Sequence, residues 1–334
     1  MSKCLVAPLN WGLGHASRCV PVIHRMLDEG YEVILGGDGE SLTLLRKHFP
    51  KLRYTYLSPL NLRYSKGKSQ VFAMLRALPK LILWSYKDHL MLKALLREEH
   101  IDRVISDNRF GLYSKHSECI YITHQLHIMF PKGFKWLEAT VSRFHARVYT
   151  HYNKVWVPDY EDPAKSLAGA LSHLQISIFK FQIPNIEYIG PLSRFTKGDP
   201  RSGVSHQEYD AVAILSGPEP HRSLLENDIL KRFAEKEEKV LVVQGLMNRP
   251  KTQIKRRNIT IVPFMNDAEL AAALYGAKHI IARSGYSTIM DLDALGLLHC
   301  QPPVTNLRLE LLPTPGQPEQ EYLAAFLAQK NALK

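Results

Sequence analysis

Residues 283–291 read RSGYSTIMD and decide the fold of the second half of the chain. The apolar run His279–Ala282 before them predicts a short buried strand, and the pattern over 289–295 after them predicts a helix. A strand that breaks at Ser284-Gly285 and continues as a helix directs backbone N–H groups out of the helix N-terminus. Together with the helix dipole these donors favour an anion, and phosphate is the usual one. The segment therefore predicts a phosphate-binding loop.

A second polar segment follows about thirty residues later, where residues 313–322 read PTPGQPEQEY. Its Pro-Gly turn opens another helix pattern, and the two segments together predict a diphosphate-bearing ligand. Asp291, in the first of these helices, can accept two hydrogen bonds from a ribose diol; the alternative role is compensation of the helix dipole. Asp291 and Asp293 match an Asp-x-Asp metal signature, but residues i and i+2 of a helix do not face each other. We therefore predict no metal site.

The rest of the chain alternates short apolar runs with helix patterns. Such alternation is typical of a parallel sheet covered by helices on both faces. The pattern pauses in a turn-rich segment and then begins again, so we predict an α/β protein with two doubly wound, Rossmann-like domains. The predicted boundaries are 1–193 for the first domain, 194–208 for a linker and 209–334 for the second domain. Ligands of such sheets lie at the carboxyl ends of the strands, so we expect a cleft there.

The loop after the first predicted strand, residues 10–18, reads NWGLGHASR. Gly12 and Gly14 allow a tight turn with close backbone approach, and His15 stands at the start of the next helix. A helix N-terminus disfavours the imidazolium ion, so His15 is a candidate proton acceptor; alternatively it bonds a loop carbonyl. The loop departs from a dinucleotide fingerprint because Ser17 stands where a third glycine belongs. Asp38, near the position of a ribose-binding acid, keeps a dehydrogenase as a weak alternative.

Polar clusters also follow two later strands of the first half. Asp107, Asn108 and Arg109 follow one strand, and His124 lies within Thr123-His124-Gln125 after the next. Either cluster can bind an acceptor hydroxyl, orient the base or cap a helix. The residues His127, Phe130, Lys132, Phe134 and Trp136 predict a loop that faces the acceptor or a membrane.

The second half contains another strand, glycine loop and helix start, with Ser216, Gly217 and Arg222. The Arg222 guanidinium can pair with a phosphate. Gln244 ends the following strand and is a further candidate for ligand binding. There is no Gly-x-Ser-x-Gly motif and no Walker loop, which argues against acyl transfer and ATP hydrolysis.

Charge is concentrated in the first half of the chain. The formal net charge is +11, and residues 1–154 carry all of it, with 23 basic and 12 acidic residues. Residues 46–97 hold 12 basic residues and one acid, interspersed with aromatic and aliphatic side chains. This composition suits an anionic membrane surface, less well a nucleic acid, or else an ordinary solvated helix face. The four cysteines lie far apart, and no secretion signal or membrane-spanning run is evident, so a cytoplasmic protein is expected.

These motifs together resemble those of GT-B glycosyltransferases, with family 28 as the nearest kin. That family includes the peptidoglycan lipid-linked N-acetylglucosaminyltransferase and the monogalactosyldiacylglycerol synthases. The resemblance rests on the Gly12-x-Gly14-His15 loop, the 283–291 segment and the 313–322 segment. It implies an inverting, metal-independent hexosyltransferase without a cofactor. The expected donor is a nucleotide diphosphate sugar, usually a UDP sugar, and the expected acceptor is lipid-linked or a cell-envelope glycan. A peripheral position on the inner face of the cell membrane is implied, with no nucleic-acid partner.

The resemblance also assigns roles to individual residues. His15 matches the general base, with Asp107 and His124 as less favoured candidates, while Gly12, Gly14, Asn108 and Arg109 would form the acceptor or phosphate loop. The donor would be held by Ser216, Gly217, Arg222, Gln244, Met265, Arg283, Ser284, Gly285, Asp291, Gln317, Gln320 and Glu321. Within that set, the Met265 backbone would contact the uracil and the side chains of Gln320 and Glu321 the sugar. The family commonly has Glu at the Asp291 position and Gln-Gln at the 320–321 pair.

Two other functions stay open. A sugar-nucleotide 2-epimerase of the same fold needs several acids in its first half, where the predicted cleft offers Asp107 and little else. A non-catalytic nucleotide-sugar-binding module is the second alternative.

Overall fold

The computed structural model describes residues 1–60, 71–130, 132–173, 185–195, 209–217, 219–298 and 307–332. Contacts divide the chain into two compact units. The first comprises Met1–Asn10 and His15–Leu192, and the second comprises Trp11–Gly14 and Ser193–Lys334. Residues 196–208 of the predicted linker and 61–70 of the basic segment lie outside the described residues.

The first unit contains a seven-stranded sheet in which every neighbouring pair of strands is parallel. Its strands are β1 (Lys3–Pro8), β2 (Glu32–Gly37), β3 (Arg53–Tyr56), β4 (Arg103–Asp107), β5 (Glu118–Ile122), β6 (Lys154–Val157) and β7 (Ile186–Tyr188). Its longer helices are α1 (Gly14–Asp28), α2 (Gly39–His48), α3 (Val71–Glu98) and α4 (Trp136–Tyr149). The strand order is β3-β2-β1-β4-β5-β6-β7.

The central strands of this sheet are buried on both faces, which explains their continuous apolar sequences. Leu5 of β1, Val104 of β4 and Tyr121 of β5 are fully buried and belong to one core cluster. The strand order reverses between β1 and β4. Strands β2 and β3 lie beyond β1 on one side, and strands β5 to β7 lie beyond β4 on the other. Residues that follow β1 and β4 therefore lie at the switch point of the sheet, where open α/β sheets bind their ligands.

The second unit contains a six-stranded sheet of order β10-β11-β9-β8-β12-β13. Its strands are β8 (Ala211–Ile214), β9 (Val240–Val243), β10 (Ile254–Arg256), β11 (Ile259–Val262), β12 (His279–Arg283) and β13 (Arg308–Leu312). Its helices are α5 (His221–Phe233), α6 (Asp267–Gly276), α7 (Tyr286–Ala294) and α8 (Pro318–Ala332). The switch point lies between β8 and β12, so the loops after these two strands are the expected ligand loops.

The structure confirms the predicted architecture of two doubly wound sheets and adds one strand. Strand β10 pairs antiparallel with β11 at the edge of the second sheet, and its three residues are exposed. A short, polar edge strand lacks the apolar pattern by which the buried strands are recognised. Across the described residues, no helix combines the length and the hydropathy that crossing a membrane requires.

Candidate functional site

The carboxyl edge of the first sheet brings His15 and Asp107 together. His15 is the second residue of α1, which follows β1, and Asp107 is the last residue of the adjacent strand β4. The His15 Nδ1 atom lies 2.9 Å from Asp107 Oδ1. Asp107 is fully buried, whereas the His15 side chain keeps some exposure. A carboxylate at Nδ1 leaves Nε2 of the imidazole to exchange a proton with a ligand.

A buried arginine completes this cluster. The Arg18 guanidinium donates from Nε to Asp107 Oδ2 at 2.5 Å and from Nη2 to Asp107 Oδ1. Arg18 Nη2 also lies 2.9 Å from His15 Nδ1, and Arg18 Nη1 lies 3.3 Å from His124 Nδ1. Cys19, the next residue of α1, directs its Sγ toward Asp107 Oδ2 at 3.7 Å. Asp107, His15 and His124 thus all lie within hydrogen-bond distance of the Arg18 guanidinium.

Burial and these charges determine the protonation of the pair. Burial lowers the pKa of His15; the Asp107 carboxylate opposes this effect and the Arg18 charge reinforces it. Burial by itself raises the pKa of Asp107, but the charges of Arg18 and His15 and their hydrogen bonds hold it well below its usual range. Asp107 is therefore ionised at neutral pH and His15 is neutral, which is the state a general base requires.

Asn108, predicted with the same cluster, adopts a left-handed backbone with φ of 57°. The Tyr121 hydroxyl donates to Asn108 Oδ1 at 3.0 Å, which fixes the turn directly after Asp107. Gly12 has φ of +77°, in keeping with the tight turn predicted for its loop, and Gly14 begins α1.

Arg109, expected in the acceptor or phosphate loop, lies instead in the interior and is fully buried. Its guanidinium donates to both Asp88 oxygens, at 2.9 and 3.0 Å, and to Asp38 Oδ1 at 2.9 Å. A fourth bond goes to the Ser58 carbonyl oxygen at 2.7 Å. Asp38, considered above as a ribose-binding acid, is thus half of an internal ion pair. The sequence places Arg109 beside Asp107 but gives no indication of these distant partners.

In the second unit, the segment 283–291 forms the predicted strand, loop and helix. Gly285 directly precedes α7, and the first hydrogen bond inside the helix runs from Ile289 N–H to the Gly285 oxygen at 3.1 Å. The N–H groups of Ser287 and Thr288 therefore point out of the helix N-terminus. Among the described residues beyond its chain neighbours, no atom lies within 4 Å of where a Cβ of Gly285 would be. Backbone donors and open space coincide at this point.

Both predicted phosphate-binding arginines are engaged by other protein groups. Arg283 is buried and donates to the carbonyl oxygens of Pro313 and His221, at 2.9 and 3.1 Å. Arg222 pairs with Glu219 and with Glu226, the latter at 3.1 Å. Gln244 also belongs to this group, because its Nε2 donates to Glu226 Oε1 at 2.6 Å. These bonds connect the end of β12 to the turn after β13, and the ends of β9 and β12 to the first turns of α5. Ser216 and Gly217 form the half-buried loop after β8.

Gln320 and Glu321, predicted as sugar ligands, hold the turn over residues 313–317. Gln320 Oε1 accepts from the Thr314 N–H at 2.8 Å, and Glu321 Oε1 accepts from the Gly316 N–H at 3.2 Å. The Ser284 hydroxyl donates to the Gln320 carbonyl oxygen at 2.8 Å. The Gln317 N–H donates to the Thr314 oxygen at 3.1 Å, which closes the turn. The phosphate loop and the Pro-Gly turn therefore form one connected structure.

Asp291 lies in the second turn of α7, beside the start of the second unit. The Ser193 hydroxyl donates to Asp291 Oδ1 at 2.6 Å, and Arg194 Nε lies 3.7 Å from Asp291 Oδ2. Arg194 also pairs with Asp267 of α6 at 3.2 Å. Burial raises the pKa of Asp291 to about 6, although the Arg194 charge and the Ser193 hydrogen bond oppose that rise. Met265 lies between β11 and the capping box that starts α6, formed by Asn266 and Glu269.

The exposed side of α3 carries a row of large apolar side chains. Leu78, Ile82, Tyr86 and Leu90 recur every four residues, and Leu83 lies beside them. Ile82 and Leu83 are 55% and 62% exposed. We call these five residues the α3 apolar row. The exposed residues Lys80, Lys87, Lys93 and Arg97 flank or continue it. Trp136, the first residue of α4, is also exposed.

Sequence reasoning missed Arg18, Ser193 and Arg194. For Arg18 a local signal exists: a cation near a helix N-terminus is unfavourable, and the first turn of α1 has no acidic residue to compensate it. That mismatch indicates a partner from elsewhere in the chain. For Ser193 and Arg194 no comparable signal exists, because Asp291 lies 98 residues from Ser193.

No protein-family model matches the sequence, and no curated protein matches it either. Solved structures do match. UGT2 of Phytolacca americana, complexed with UDP-2fluoro-glucose and pterostilbene, is 14% identical over 99% of this chain and 84% of its own, with a TM-score of 0.55. The glycotransferase of kitacinnamycin is 13% identical over 98% of this chain and 84% of its own, with a TM-score of 0.57.

A third match is the spinosyn rhamnosyltransferase SpnG complexed with thymidine diphosphate. It is 13% identical over 99% of this chain and 90% of its own, with a TM-score of 0.53. These likenesses extend over both sheets, and at such low identity they establish the fold. The predicted GT-B fold class, with two Rossmann-like domains, is thereby confirmed.

Proposed function

We propose that this chain of GT-B fold is an inverting, metal-independent glycosyltransferase. It moves a sugar from a nucleotide diphosphate donor, with UDP as the preferred nucleotide, to a hydroxyl of a lipid-linked or cell-envelope glycan acceptor. The observation that carries the proposal is the pair formed by His15 and Asp107 at the switch point of the first sheet. A neutral imidazole held by an ionised, buried carboxylate is suited to accept a proton from an acceptor hydroxyl.

The proposed reaction is a single displacement at the anomeric carbon. The acceptor oxygen forms a bond to that carbon while its proton passes to His15 Nε2. The bond between the anomeric carbon and the diphosphate oxygen breaks, and its electron pair leaves with the nucleoside diphosphate. Attack from the side opposite the leaving group inverts the configuration at that carbon. Asp107 stabilises the imidazolium that forms, as a carboxylate does for any protonated histidine it contacts.

Backbone donors rather than arginine side chains would stabilise the departing diphosphate. Arg283 and Arg222 already bond carbonyl oxygens and carboxylates. The N-terminus of α7 offers the N–H groups of Ser287 and Thr288 beside Gly285. Fixed N–H dipoles at a helix N-terminus stabilise developing negative charge without having to reorganise.

Asp291 is the proposed ribose ligand. An ionised carboxylate has about four lone-pair positions, so the Ser193 hydrogen bond leaves room for a ribose diol. Met265 would present its backbone to the uracil of the nucleotide. In this arrangement the ribose oxygens would bond Asp291 while the diphosphate lies at the α7 N-terminus. Two of the matched structures contain UDP-2fluoro-glucose and thymidine diphosphate, which supports a nucleotide diphosphate as the ligand class.

The direct test combines binding and turnover. UDP, UDP-glucose, UDP-galactose and UDP-N-acetylglucosamine are screened by thermal shift, because a ligand that binds the folded state raises Tm. A stabilising donor is then incubated with a polyprenyl-diphosphate-linked sugar and with diacylglycerol as acceptors, and the product configuration is read by NMR. We expect acceptor-dependent UDP release with inversion. A change at sugar carbon 2 without acceptor would identify an epimerase, and binding without turnover of any kind would identify a binding module.

Replacing Asp291 with asparagine is expected to weaken UDP binding about 10- to 100-fold, the value of one or two charge-assisted hydrogen bonds. Calorimetric titration with UDP measures it. In the unmodified protein the affinity should rise as pH increases through about 6, because Asp291 loses its proton there and then accepts two bonds. The asparagine variant should lose the part of this pH dependence that Asp291 contributes, and the part that remains belongs to the terminal phosphate of UDP, whose second pKa is also about 6.

Asp293→Asn is the matched control, since it makes the same change two residues along the same helix. Residues i and i+2 point in different directions, so this variant should bind UDP normally. Equal affinities for the Asp291→Asn variant and the unmodified protein at every pH would refute the ribose assignment.

The α3 apolar row supports a membrane-associated acceptor. Exposed aliphatic and aromatic side chains flanked by lysine and arginine match the interface of an anionic bilayer, where the rings and chains enter the lipid and the cations meet the headgroups. We therefore propose that the first unit docks through α3 on an anionic membrane surface, where a lipid-linked acceptor would lie.

Replacing both Ile82 and Leu83 with serine is expected to weaken binding to phosphatidylglycerol vesicles at least tenfold, because each lost side chain removes about 1.5 kcal/mol or more of apolar burial. Cosedimentation measures it. Leu224→Ser in α5, where the leucine is 56% exposed, is the control and should bind normally. Binding should also fall in phosphatidylcholine vesicles and at high salt. Undiminished binding by the double variant would show that α3 is not the docking face.

A further inference from the structure

Arg18 is the least expected member of the cluster in the first unit. It is 2% exposed, and its guanidinium contacts Asp107, His15 and His124 at once. Its guanidinium N–H groups are engaged by other protein groups, and its burial excludes it from direct contact with a ligand. Its effect on the reaction must therefore pass through its neighbours.

His15 Nδ1 has two competing partners at equal distance. Asp107 Oδ1 and Arg18 Nη2 each lie 2.9 Å from it. A neutral imidazole nitrogen either carries a proton and donates, or lacks one and accepts. An ionised Asp107 can only accept, so it favours the proton on Nδ1; Arg18 can only donate, so it favours a bare Nδ1. Arg18 also binds both Asp107 oxygens, so it holds the carboxylate ionised and in place. Asp107 therefore determines the tautomer of His15, and the ring proton lies on Nδ1.

His124 has the opposite surroundings. Arg18 Nη1 lies 3.3 Å from His124 Nδ1, and a guanidinium can only donate. His124 Nδ1 must then accept, which places the proton of its neutral ring on Nε2. A ring with Nε2 protonated donates a hydrogen bond there and cannot take a proton from an acceptor hydroxyl at that atom.

We propose that Arg18 is a positioning residue that sets the tautomers of both histidines. Through Asp107 it places the ring proton of His15 on Nδ1, and by direct donation it places the ring proton of His124 on Nε2. This rests on the proposed function in that His15 acts as the base. It explains why His15 rather than His124 accepts the proton.

The charge of Arg18 has a second consequence. The groups that face His15 are Arg18 on its own helix, Asp107 at the end of β4 and His124 after β5. Protonating His15 places a second cation beside Arg18, which Asp107 alone must balance. Without Arg18 the Asp107 carboxylate is unopposed, so His15 binds its proton more tightly. Because activity needs neutral His15, the acid limb of the pH–activity profile would then move to higher pH.

The test uses the full chain labelled with ¹⁵N-histidine, with resonances assigned from His15→Gln and His124→Gln variants. Long-range ¹H–¹⁵N spectra of the unmodified protein should show His15 protonated at Nδ1 and His124 protonated at Nε2. In Arg18→Met, His124 should lose this preference and His15 should titrate about one pH unit or more higher, the size of effect a neighbouring charge has. The acid limb of the pH–rate profile should move with it. Arg25→Met, an exposed change on the same helix, should alter neither signal.

Arg18→Lys is the second variant, and it distinguishes the proposed effect from unfolding because it keeps the positive charge. It should leave the His15 titration nearly unchanged but release His124, because one ammonium group cannot span Asp107 and His124. A His124 ring with bare Nε2 in the unmodified protein, or the same His15 titration with and without Arg18, would overturn the proposal. Both spectra are recorded without substrate. An inactive protein with the expected tautomers would therefore contradict the proposed function and leave this inference intact.

Discussion

Replacing His15 with alanine lowers the rate of sugar transfer by about 100- to 10,000-fold, the usual contribution of a positioned general base. We expect the loss to fall on kcat, because in the proposed mechanism the imidazole takes its proton as the new bond forms. The UDP affinity, which we assign to Asp291 and the α7 N-terminus, stays unchanged. Steady-state kinetics with the donor and acceptor that the proposed screen selects, together with calorimetry for UDP, measure both quantities.

His100→Ala is the control for this prediction. The His100 side chain is 75% exposed and pairs with the carboxylate of Asp102 two residues away, so its loss should leave turnover intact. Full activity in the His15→Ala variant would eliminate this residue as the base. A reduction confined to KM would instead mean that His15 contributes to binding alone.

Replacing Arg109 with methionine destabilises the first unit by about 3–5 kcal/mol, the cost of removing one partner from a buried ionic cluster. Methionine fills much of the volume but leaves two carboxylates, Asp88 and Asp38, without their cation. Asp88 is fully buried, and burial already raises its pKa despite the arginine. Urea unfolding followed by circular dichroism gives the loss, and the corresponding drop in Tm is on the order of 10 °C.

Arg53→Met provides a matched comparison. Arg53 also pairs with two carboxylates, those of Glu32 and Glu99, but its side chain is 59% exposed. Exposed ion pairs contribute about 1 kcal/mol or less, so this variant should stay close to the unmodified protein. Equal stabilities for the two variants would show that the Arg109 cluster is solvated and not a structural element.

The order of strands and helices was predictable because each buried parallel strand is a continuous apolar run bounded by a helix pattern. The sequence pattern predicts a strand over residues 4–9 and a helix over residues 16–29, and strand β1 and helix α1 agree with these ranges to within two residues at each end. Strand β10 was not predictable, because its stability comes from pairing with β11 rather than from burial of its own side chains.

The candidate site was only partly predictable, for a different reason. His15, Asp107 and His124 could be named because each follows a strand, and strand ends of a parallel sheet share one edge. The arginines could not be assigned from local sequence. Arg222 and Arg283 lie beside glycine loops, as phosphate ligands do. Arg222 nevertheless pairs with Glu226, and Arg283 donates to the Pro313 carbonyl oxygen. Arg18 acts on Asp107, 89 residues away.

The reversal of strand order between β1 and β4 has a consequence for engineering. Asp107 is held by backbone that is hydrogen-bonded in the middle of a seven-stranded sheet, where its register partner is Pro8, the last residue of the strand that precedes His15. The segments that follow β4 and β5 carry Arg109 and His124, which bond residues of the same unit. An exchange of these segments that keeps Arg109 and His124 should therefore leave the contact between His15 and Asp107 in place. The sheet acts as a fixed frame for Asp107, and under the proposed function the attached segments would be the part of the chain in which acceptor choice can be varied.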